Sequence, residues 1–192
     1  MTATRTPSAA KLAVAVRGLR EKSPELELAG SEPLAIIGIG CRFAGSVIDP
    51  ESLWNLLRER RNVAGEVPAD RFTRDELRGP NAAAAFEYCR GAFLQDIDRF
   101  DAQYFGVAPR EAALMDPQQR MLLEVAWEAM EDAGIAPERL RGSATGVFAA
   151  IYNHDFLRYR YADPEQVAAH TSSGASPAIA AGRIAFLLAL RG

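Results

Sequence analysis

The chain has 192 residues, 48% of them hydrophobic and 24% charged, which suits one folded domain with a core. Its net charge of −3 and isoelectric point of about 5.5 argue against a nucleic-acid partner, because such partners require a basic surface. Two cysteines are too few for a disulfide scaffold, and no apolar run has the length of a membrane span or the pattern of a signal peptide. We therefore expect a cytoplasmic protein.

The first 31 residues differ in composition from the rest of the chain. Residues 1–10 are rich in Thr, Ala, Ser and Pro, and residues 11–22 have the apolar spacing of a short helix that Ser23-Pro24 would end. A helix this short is marginal in water by itself. We expect residues 1–31 to form a flexible leader, and a docking helix is the alternative interpretation.

Strand and helix patterns alternate through the remaining residues, which indicates the α/β class. Two compact apolar runs, residues 34–39 and residues 145–151, predict buried core strands. Other patterns predict a helix capped by Asp49-Pro50, an extended segment or hairpin over residues 88–97, a helical turn over residues 164–169 and a helix over residues 176–190.

The most informative stretch is Asp116-Pro117-Gln118-Gln119-Arg120, here called the DPQQR block. Asp116 is a good N-cap and Pro117 suits the first helical position, while Gln119 at the third position could complete a capping box. Two neighbouring apolar stripes follow, so we expect a helix that is buried around much of its circumference and ends at Gly134. The stripes comprise Leu122, Val125, Ala126, Ala129 and Ala133, and Leu123, Trp127 and Met130.

Together with residues 100–115, the DPQQR block resembles the hallmark block of β-ketoacyl synthase (ketosynthase) domains of type I modular polyketide synthases. Residues 35–43 resemble the opening strand and turn of these domains, although Ala44 replaces a common proline. Further blocks at Gly134-Ile135, residues 146–148 and residues 171–192 follow in the family's order. The resemblance covers the chain from about Glu32 to its last residue.

This resemblance implies an α/β, thiolase-like fold of which the chain supplies most of the first half. Residues 32–192 would be the N-terminal portion of the domain, truncated before the family's catalytic cysteine. The implied reaction of this acyltransferase family, which also serves fatty acid biosynthesis, is decarboxylative Claisen condensation of acyl and malonyl-type thioesters. The implied partners are acyl carrier protein, whose phosphopantetheine arm carries the substrates, a second copy of the domain and neighbouring synthase domains. No directly bound cofactor, metal, nucleic acid or membrane is expected.

We assign no catalytic, cofactor-binding or metal-binding residue to this chain. Cys41 and Cys89 lack a local activating base, so we expect structural thiols. The family's catalytic histidines belong to the later half of the domain, and their role is therefore not transferred to His154 or His170. The two cysteines and two histidines are also too scattered for a zinc site.

Other polar and glycine patterns have structural explanations. Gly38-Ile39-Gly40 follows an apolar run but lacks the third glycine and the helix of a dinucleotide-binding turn. We expect Asp116 to act as a helix cap and Glu124 as an ion-pair partner. Two further charged side chains are expected to hold carboxylates or carbonyls near the DPQQR block, namely Arg110 and Arg120. The resemblance places residues 171–192 near the family's dimer interface and acyl pocket.

Two functions from different classes fit the sequence. The first is a polyketide synthase ketosynthase fragment, an enzyme by family that is inactive alone because it lacks the nucleophile. The alternative is a non-catalytic dimerisation or docking module derived from a ketosynthase. The apolar run over residues 184–190, directly before the expected nucleophile, favours the first.

Overall fold

The computed structural model describes Arg17, residues 33–71 and residues 89–191. The chain divides into two units, Met1–Ile36 and Ile37–Gly192. Of the first unit, Arg17 and residues 33–36 are described, so the prediction of a leader or docking helix over residues 1–31 lies almost entirely outside the described residues. The helices, strands and clefts described below lie in the second unit.

Short helices dominate the described part of the second unit, and one antiparallel pair of two-residue strands accompanies them. The strands pair Gly65 with Gly91 and Glu66 with Arg90, which confirms an extended segment near residue 90. The helices are α1 (Pro50–Arg58), α2 (Pro109–Ala112), α3 (Pro117–Asp132), α4 (Asp155–Tyr161), α5 (Thr171–Ala175) and α6 (Ala180–Leu187); the strands are β1 (Gly65–Glu66) and β2 (Arg90–Gly91); and 3-10 turns cover Pro137–Leu140, Pro164–Gln166 and Pro177–Ile179.

Helix α1 begins where the sequence predicts, at a complete capping box. The Asp49 carboxylate accepts a 2.6 Å hydrogen bond from the Ser52 backbone N–H, and the Ser52 hydroxyl accepts one from the Asp49 N–H at 3.1 Å. These two bonds satisfy donors that a helix start otherwise leaves unpaired. The bond from the Ser52 N–H is also the main reason why the pKa of Asp49 is lowered.

Helix α3 confirms both predicted ends and corrects one detail. Asp116 accepts from the backbone N–H of Gln118 at 2.8 Å, so it is the N-cap. Gly134 has φ +64°, and the Ile135 N–H reaches the Met130 carbonyl at 2.9 Å, which is the Schellman end. The predicted capping box is wrong, because Gln119 turns away from the cap and is used in a long-range contact.

The prediction of two buried core strands is also wrong. Residues 33–42 and 143–154 form neither helix nor strand ladder, and we call them the unpaired segments. Several of their large side chains are open to solvent, with Leu34 95% and Phe148 98% exposed, whereas Val147 is half-buried against the core. A parallel sheet requires cover on both faces. Within the described residues, Ile37 and Ile39 remain mostly exposed, so the second layer is missing there.

Residues 38–40 of the first unpaired segment nevertheless lie directly on α3. A Cβ atom on Gly38 would lie 2.2 Å from the Ala129 carbonyl oxygen, and one on Gly40 would lie 2.4 Å from that of Val125. Only glycine permits so close an approach of two backbones. Residues 38–40 therefore run antiparallel to α3, and the two glycines allow the backbones to pack closely.

The core lies between α3, α6 and the chain that precedes α2. Its buried members are Phe105, Met115, Leu123, Ile184 and Leu188. Gln119 and Leu123 of α3 are fully buried, and the other residues from 117 to 130 are all half-buried. Only Glu131 and Asp132, at the end of the helix, are exposed, which confirms the prediction of a helix buried around much of its circumference. Trp127 is half-buried and packs edge-on against Tyr104 and Phe105, with ring centroids 5.2 and 6.2 Å away.

Helices long and apolar enough to cross a lipid bilayer are absent from the described residues.

Candidate functional site

The DPQQR block is joined to the chain around α5 and α6 by a set of hydrogen bonds that we call the seam. The Asp116 backbone N–H donates to the Gly174 carbonyl at 2.9 Å. A Cβ atom on Gly174 would lie 2.3 Å from the Leu114 carbonyl oxygen, so the segments around Leu114 and Gly174 are in direct backbone contact. The seam comprises Glu111, Asp116, Gln119, Ser173, Gly174, Ser176 and Arg183.

Gln119 is the buried centre of the seam, with 1% of its surface exposed. Its side-chain amide N–H donates to the Ser176 carbonyl at 2.9 Å, and its amide oxygen accepts from Nε of Arg183 at 2.8 Å. Burial of an amide is costly unless both of its ends find partners. Here both ends do, and the donation to Ser176 orients the oxygen toward Arg183.

Arg183 completes the seam with two more bonds. Nη1 donates to Glu111 Oε1 at 2.7 Å, and Nη2 donates to the Ser173 carbonyl at 3.2 Å. Only 14% of the Arg183 side chain and 23% of the Glu111 side chain are exposed, so this ion pair is largely shielded from water. Such charge-assisted bonds are among the strongest in proteins, and removal of one partner leaves a buried charge.

A cleft of about 500 Å³ lies beside the seam. Its polar lining is limited to Glu111, Ser173 and Arg183, all of which belong to the seam. The size and apolar character of the cleft suit a small organic ligand. The apolar lining is formed by Phe105, Val107, Leu123, Ile179, Phe186 and Leu187.

A second polar cluster holds the turn around residues 43–48 against α3. Arg42 forms an ion pair with Glu128, and its Nη1 donates to the Ile48 carbonyl at 3.2 Å. Burial is the main cause of the raised pKa of Glu124, to which Glu128 adds repulsion while Arg42 and Arg120 oppose the shift. Arg42 thus connects α3 to the turn, while the second carboxylate oxygen of Glu128 is buried without a hydrogen-bond partner among the described residues.

Residues 31–192 match the protein family described as Beta-ketoacyl synthase, N-terminal domain. The chain belongs to this family. The match covers the residues of the DPQQR block, the seam and the cleft. This confirms the resemblance stated from the sequence.

Relatives of this ketosynthase chain are polyketide synthase proteins. The spectinabilin polyketide synthase system protein NorC of Streptomyces orinoci is 48% identical over 85% of the chain. One of the phenolphthiocerol/phthiocerol polyketide synthase proteins of Mycobacterium tuberculosis is 46% identical over 86% of the chain. The chain spans only 7% and 11% of the lengths of these two proteins.

Solved ketosynthase structures share the fold. The ketosynthase from module 6 of the bacillaene synthase of Bacillus subtilis superimposes with a TM-score of 0.66 at 31% identity, covering 82% of this chain and 25% of that one. An oxazolomycin ketosynthase domain of Streptomyces albus gives a TM-score of 0.62 at 29% identity, covering 82% and 28%. The fold is thus α/β and thiolase-like, and it includes only the N-terminal part of the domain, as predicted.

Several residues of the ketosynthase chain lie where the sequence predicts. Asp116 caps α3, and Arg120 donates to the Asp98 carbonyl at 3.0 Å, the structural role expected of it. Cys41 is buried and Cys89 is half-buried, both as free thiols. His154 is exposed and precedes α4.

Two predicted roles are wrong. Arg110 is exposed and has no hydrogen bond or ion pair within the residues that the structure describes, because its neighbour Glu111 makes the inward contact instead. Glu124, expected to be an ion-pair partner, forms no direct ion pair among the described residues; Arg42 pairs with Glu128, one turn later on α3, and acts on Glu124 only as a nearby charge. Groups of three or more His, Cys, Asp or Glu that could hold a metal are absent from the described ranges.

The sequence reasoning missed the residues that matter most to the seam. Arg183 and Gln119 are 64 positions apart, and no local pattern connects them. One signal was available, because Arg183 is the only charged residue of the apolar helix α6. A charge in such a helix requires a buried partner.

Proposed function

We propose that this chain forms the N-terminal part of a ketosynthase domain that catalyses decarboxylative Claisen condensation in a modular polyketide synthase. In this reaction a cysteine thiolate takes the acyl group from the phosphopantetheine thiol of a carrier protein by thioester exchange. A malonyl-type thioester then loses CO2, and the resulting enolate attacks the cysteine thioester and releases the thiolate. The match to the family over residues 31–192 carries this proposal.

The proposed contribution of this chain is scaffold and cleft, and the nucleophile and catalytic histidines are assigned to the rest of the domain. Cys41 is buried, and neither it nor Cys89 has an ion pair or hydrogen bond to a base within the described residues. A thiol in such surroundings is inert. The apolar cleft beside the seam has the size and the lining to contact the hydrocarbon part of an acyl chain.

The proposed partners are acyl carrier protein, a second copy of the domain and neighbouring synthase domains, in the cytoplasm. The chain itself is proposed to need no bound cofactor or metal, and the phosphopantetheine arm arrives as the substrate carrier. Residues 1–31 are proposed to be a leader or docking helix outside the folded domain, which begins at residue 32. Limited proteolysis should remove this leader first, and protection of residues 1–31 equal to that of α3 would reject the assignment.

A non-catalytic dimerisation or docking module remains the second candidate, and one observation favours it. The unpaired segments expose large apolar side chains, including Leu34, Ile36 and Phe148. Exposed apolar surface of this kind typically marks a surface that another chain covers. On this alternative the chain would bind a partner without taking part in acyl transfer.

A chimaera separates the two candidates. Residues 31–192 would replace the matching N-terminal quarter of the bacillaene module 6 ketosynthase, which they resemble at 31% identity. After gel filtration and circular dichroism verify folding, the chimaera would be incubated with an acyl-carrier thioester and its cysteines examined by mass spectrometry. We expect acylation of the chimaera, dependent on the family's cysteine, and none of the 192-residue chain alone.

The controls follow from the cysteines of the chain. Replacement of Cys41 and Cys89 by alanine should leave acylation of the chimaera intact. Stoichiometric acylation of Cys41 or Cys89 in the isolated chain would contradict the scaffold role. A folded chimaera without acylation would favour the docking module.

A further inference from the structure

The guanidinium of Arg183 connects α6 to three other parts of the chain. Its three nitrogen atoms donate to Gln119 at the start of α3, Glu111 in α2 and the Ser173 carbonyl in α5, at 2.8, 2.7 and 3.2 Å. We propose that Arg183 is a positioning residue, which fixes the register of α6 against the DPQQR block and so sets the shape of the cleft.

Apolar packing alone does not fix this register. The buried side of α6 presents Ala180 and Ile184, followed by Leu188, at a regular spacing of four residues. Apolar burial is non-directional, so a shift of this eight-residue helix along its axis would cost little apolar contact area. The planar guanidinium fork of Arg183 must donate to three acceptors at once, and it can do so at only one position of α6. Buried polar contacts are known to select register in this way.

The acceptors are themselves held in place. Gln119 is buried and is oriented by its donation to the Ser176 carbonyl at 2.9 Å. The Ser173 carbonyl belongs to α5, where Gly174 touches the Leu114 carbonyl and leaves no room for a shift. The fork of Arg183 therefore meets a preformed set of oxygens, and a lysine could not satisfy all of them because its ammonium is a single compact charge.

Direct binding of a ligand anion is the alternative role for an arginine beside a cleft. The geometry favours the positioning role, since Nε, Nη1 and Nη2 are all engaged and Glu111 balances the charge. The side chain is also 14% exposed, so little of it faces the cleft.

The register of α6 matters because its next turn forms the cleft wall. Phe186 and Leu187, three and four positions after Arg183, both line the cleft. A shift of α6 would also move Ala189, whose carbonyl accepts from the Gly142 N–H at 2.8 Å. For the acyl transfer proposed above, on which this last consequence rests, Arg183 would thus determine which acyl chains the cleft accommodates.

Hydrogen–deuterium exchange on the 192-residue chain tests the positioning role without any reaction. Arg183→Lys keeps the charge and removes the fork. We expect amide exchange in α5 and α6 to rise at least about tenfold, as loss of a hydrogen bond to a charged group would produce, with α1 unchanged. Arg110→Lys, the same substitution at an exposed arginine, is the control. Wild-type protection of α6 in Arg183→Lys would overturn the proposal.

The chimaera tests the consequence for the cleft. We expect Arg183→Lys to lower the ratio of octanoyl to acetyl acylation rates by about tenfold, which is roughly the discrimination lost with one contact in an apolar pocket. Gly134→Ala, which destabilises the fold away from the cleft, should leave this ratio unchanged. An unchanged ratio in Arg183→Lys would refute control of the cleft by Arg183. Absence of acylation in the unmutated chimaera would count against the proposed function alone, because the exchange result is independent of it.

Discussion

Two helices of this chain end in the same backbone motif but with different residues at its left-handed position. Helix α3 ends at Gly134 with φ +64°, and α6 ends at Ala189 with φ +49°. After α6, the Leu190 N–H reaches the Ala185 carbonyl at 2.9 Å and the Ala189 N–H reaches the Phe186 carbonyl at 3.0 Å, the same Schellman pattern as after α3. An alanine held at positive φ is strained, whereas a glycine is not.

Ala189→Gly should therefore stabilise the chain, although glycine substitutions usually destabilise. The left-handed conformation costs a residue with a Cβ atom about 1–2 kcal/mol. The greater conformational freedom of glycine in the unfolded chain offsets about 0.5–1 kcal/mol of this gain in stability. The net expectation is a gain of about 0.5–1 kcal/mol, and Gly134→Ala should lose about 1 kcal/mol for the converse reason.

Urea unfolding followed by circular dichroism measures these changes, and thermal midpoints should move by about 2–4 °C per kcal/mol in a chain of this size. Gly182→Ala is the matched control, because Gly182 lies within α6 and a Cβ atom there would meet nothing within 4 Å. It should stabilise by about 1 kcal/mol through helix propensity. The reasoning fails if Gly134→Ala and Gly182→Ala change stability with the same sign, or if Ala189→Gly destabilises.

Three further predictions concern α3 and the seam. The raised pKa of Glu124 means that the folded chain binds its proton more tightly than the unfolded chain, so this stabilisation is complete below the ordinary value of 4.5 and lost as pH rises through the folded pKa. Glu124→Gln should hence raise the thermal midpoint at pH 7 and have little effect near pH 4; the opposite pH trend would contradict it. Gly174→Ala should lower the free energy of unfolding measured in urea by about 1–3 kcal/mol, because the added Cβ atom would lie 2.3 Å from the Leu114 carbonyl oxygen. An unchanged free energy would show that the seam can shift to accept the methyl group. Trp127→Ala should cost about 3 kcal/mol, at the lower end for aromatic truncation because the ring is half-buried, and an unchanged near-ultraviolet circular dichroism spectrum would contradict its contact with Tyr104 and Phe105.

The features that the sequence predicts correctly are those that neighbouring residues decide. The Asp49 cap of α1, the Asp116 cap of α3 and the stop at Gly134 each depend on a few consecutive residues. Side-chain acceptors and backbone freedom act within one helical turn, so local composition is sufficient to predict them. The 3-10 turn Pro164–Gln166 belongs to the same group, since a short helical turn is predicted there.

Burial and long-range pairing could not be predicted in the same way. The apolar runs over residues 34–39 and 145–151 predict buried strands, but burial depends on a second layer that these runs do not encode. Gln119 lies at the third position of a helix, and the neighbouring residues alone predict that it completes a capping box. Arg183, which lies 64 positions away, donates to the Gln119 oxygen instead, and the Asp116 N–H that a capping box would use donates to the Gly174 carbonyl at 2.9 Å.

The DPQQR block illustrates how a stretch that identifies a family can act through structure. Three of its polar side chains form structural hydrogen bonds. Asp116 caps α3, Gln119 accepts from Arg183, and Arg120 donates to the Asp98 carbonyl. Burial lowers the pKa of Arg120, and nearby carboxylates, including that of Asp116, oppose the shift. None of these side chains is left free to act as an acid, a base or a nucleophile. Substitutions in the block should consequently alter the proposed acyl transfer of the chimaera through the position of α6 and the cleft. An effect on chain-length selectivity would distinguish them from substitutions of reacting groups.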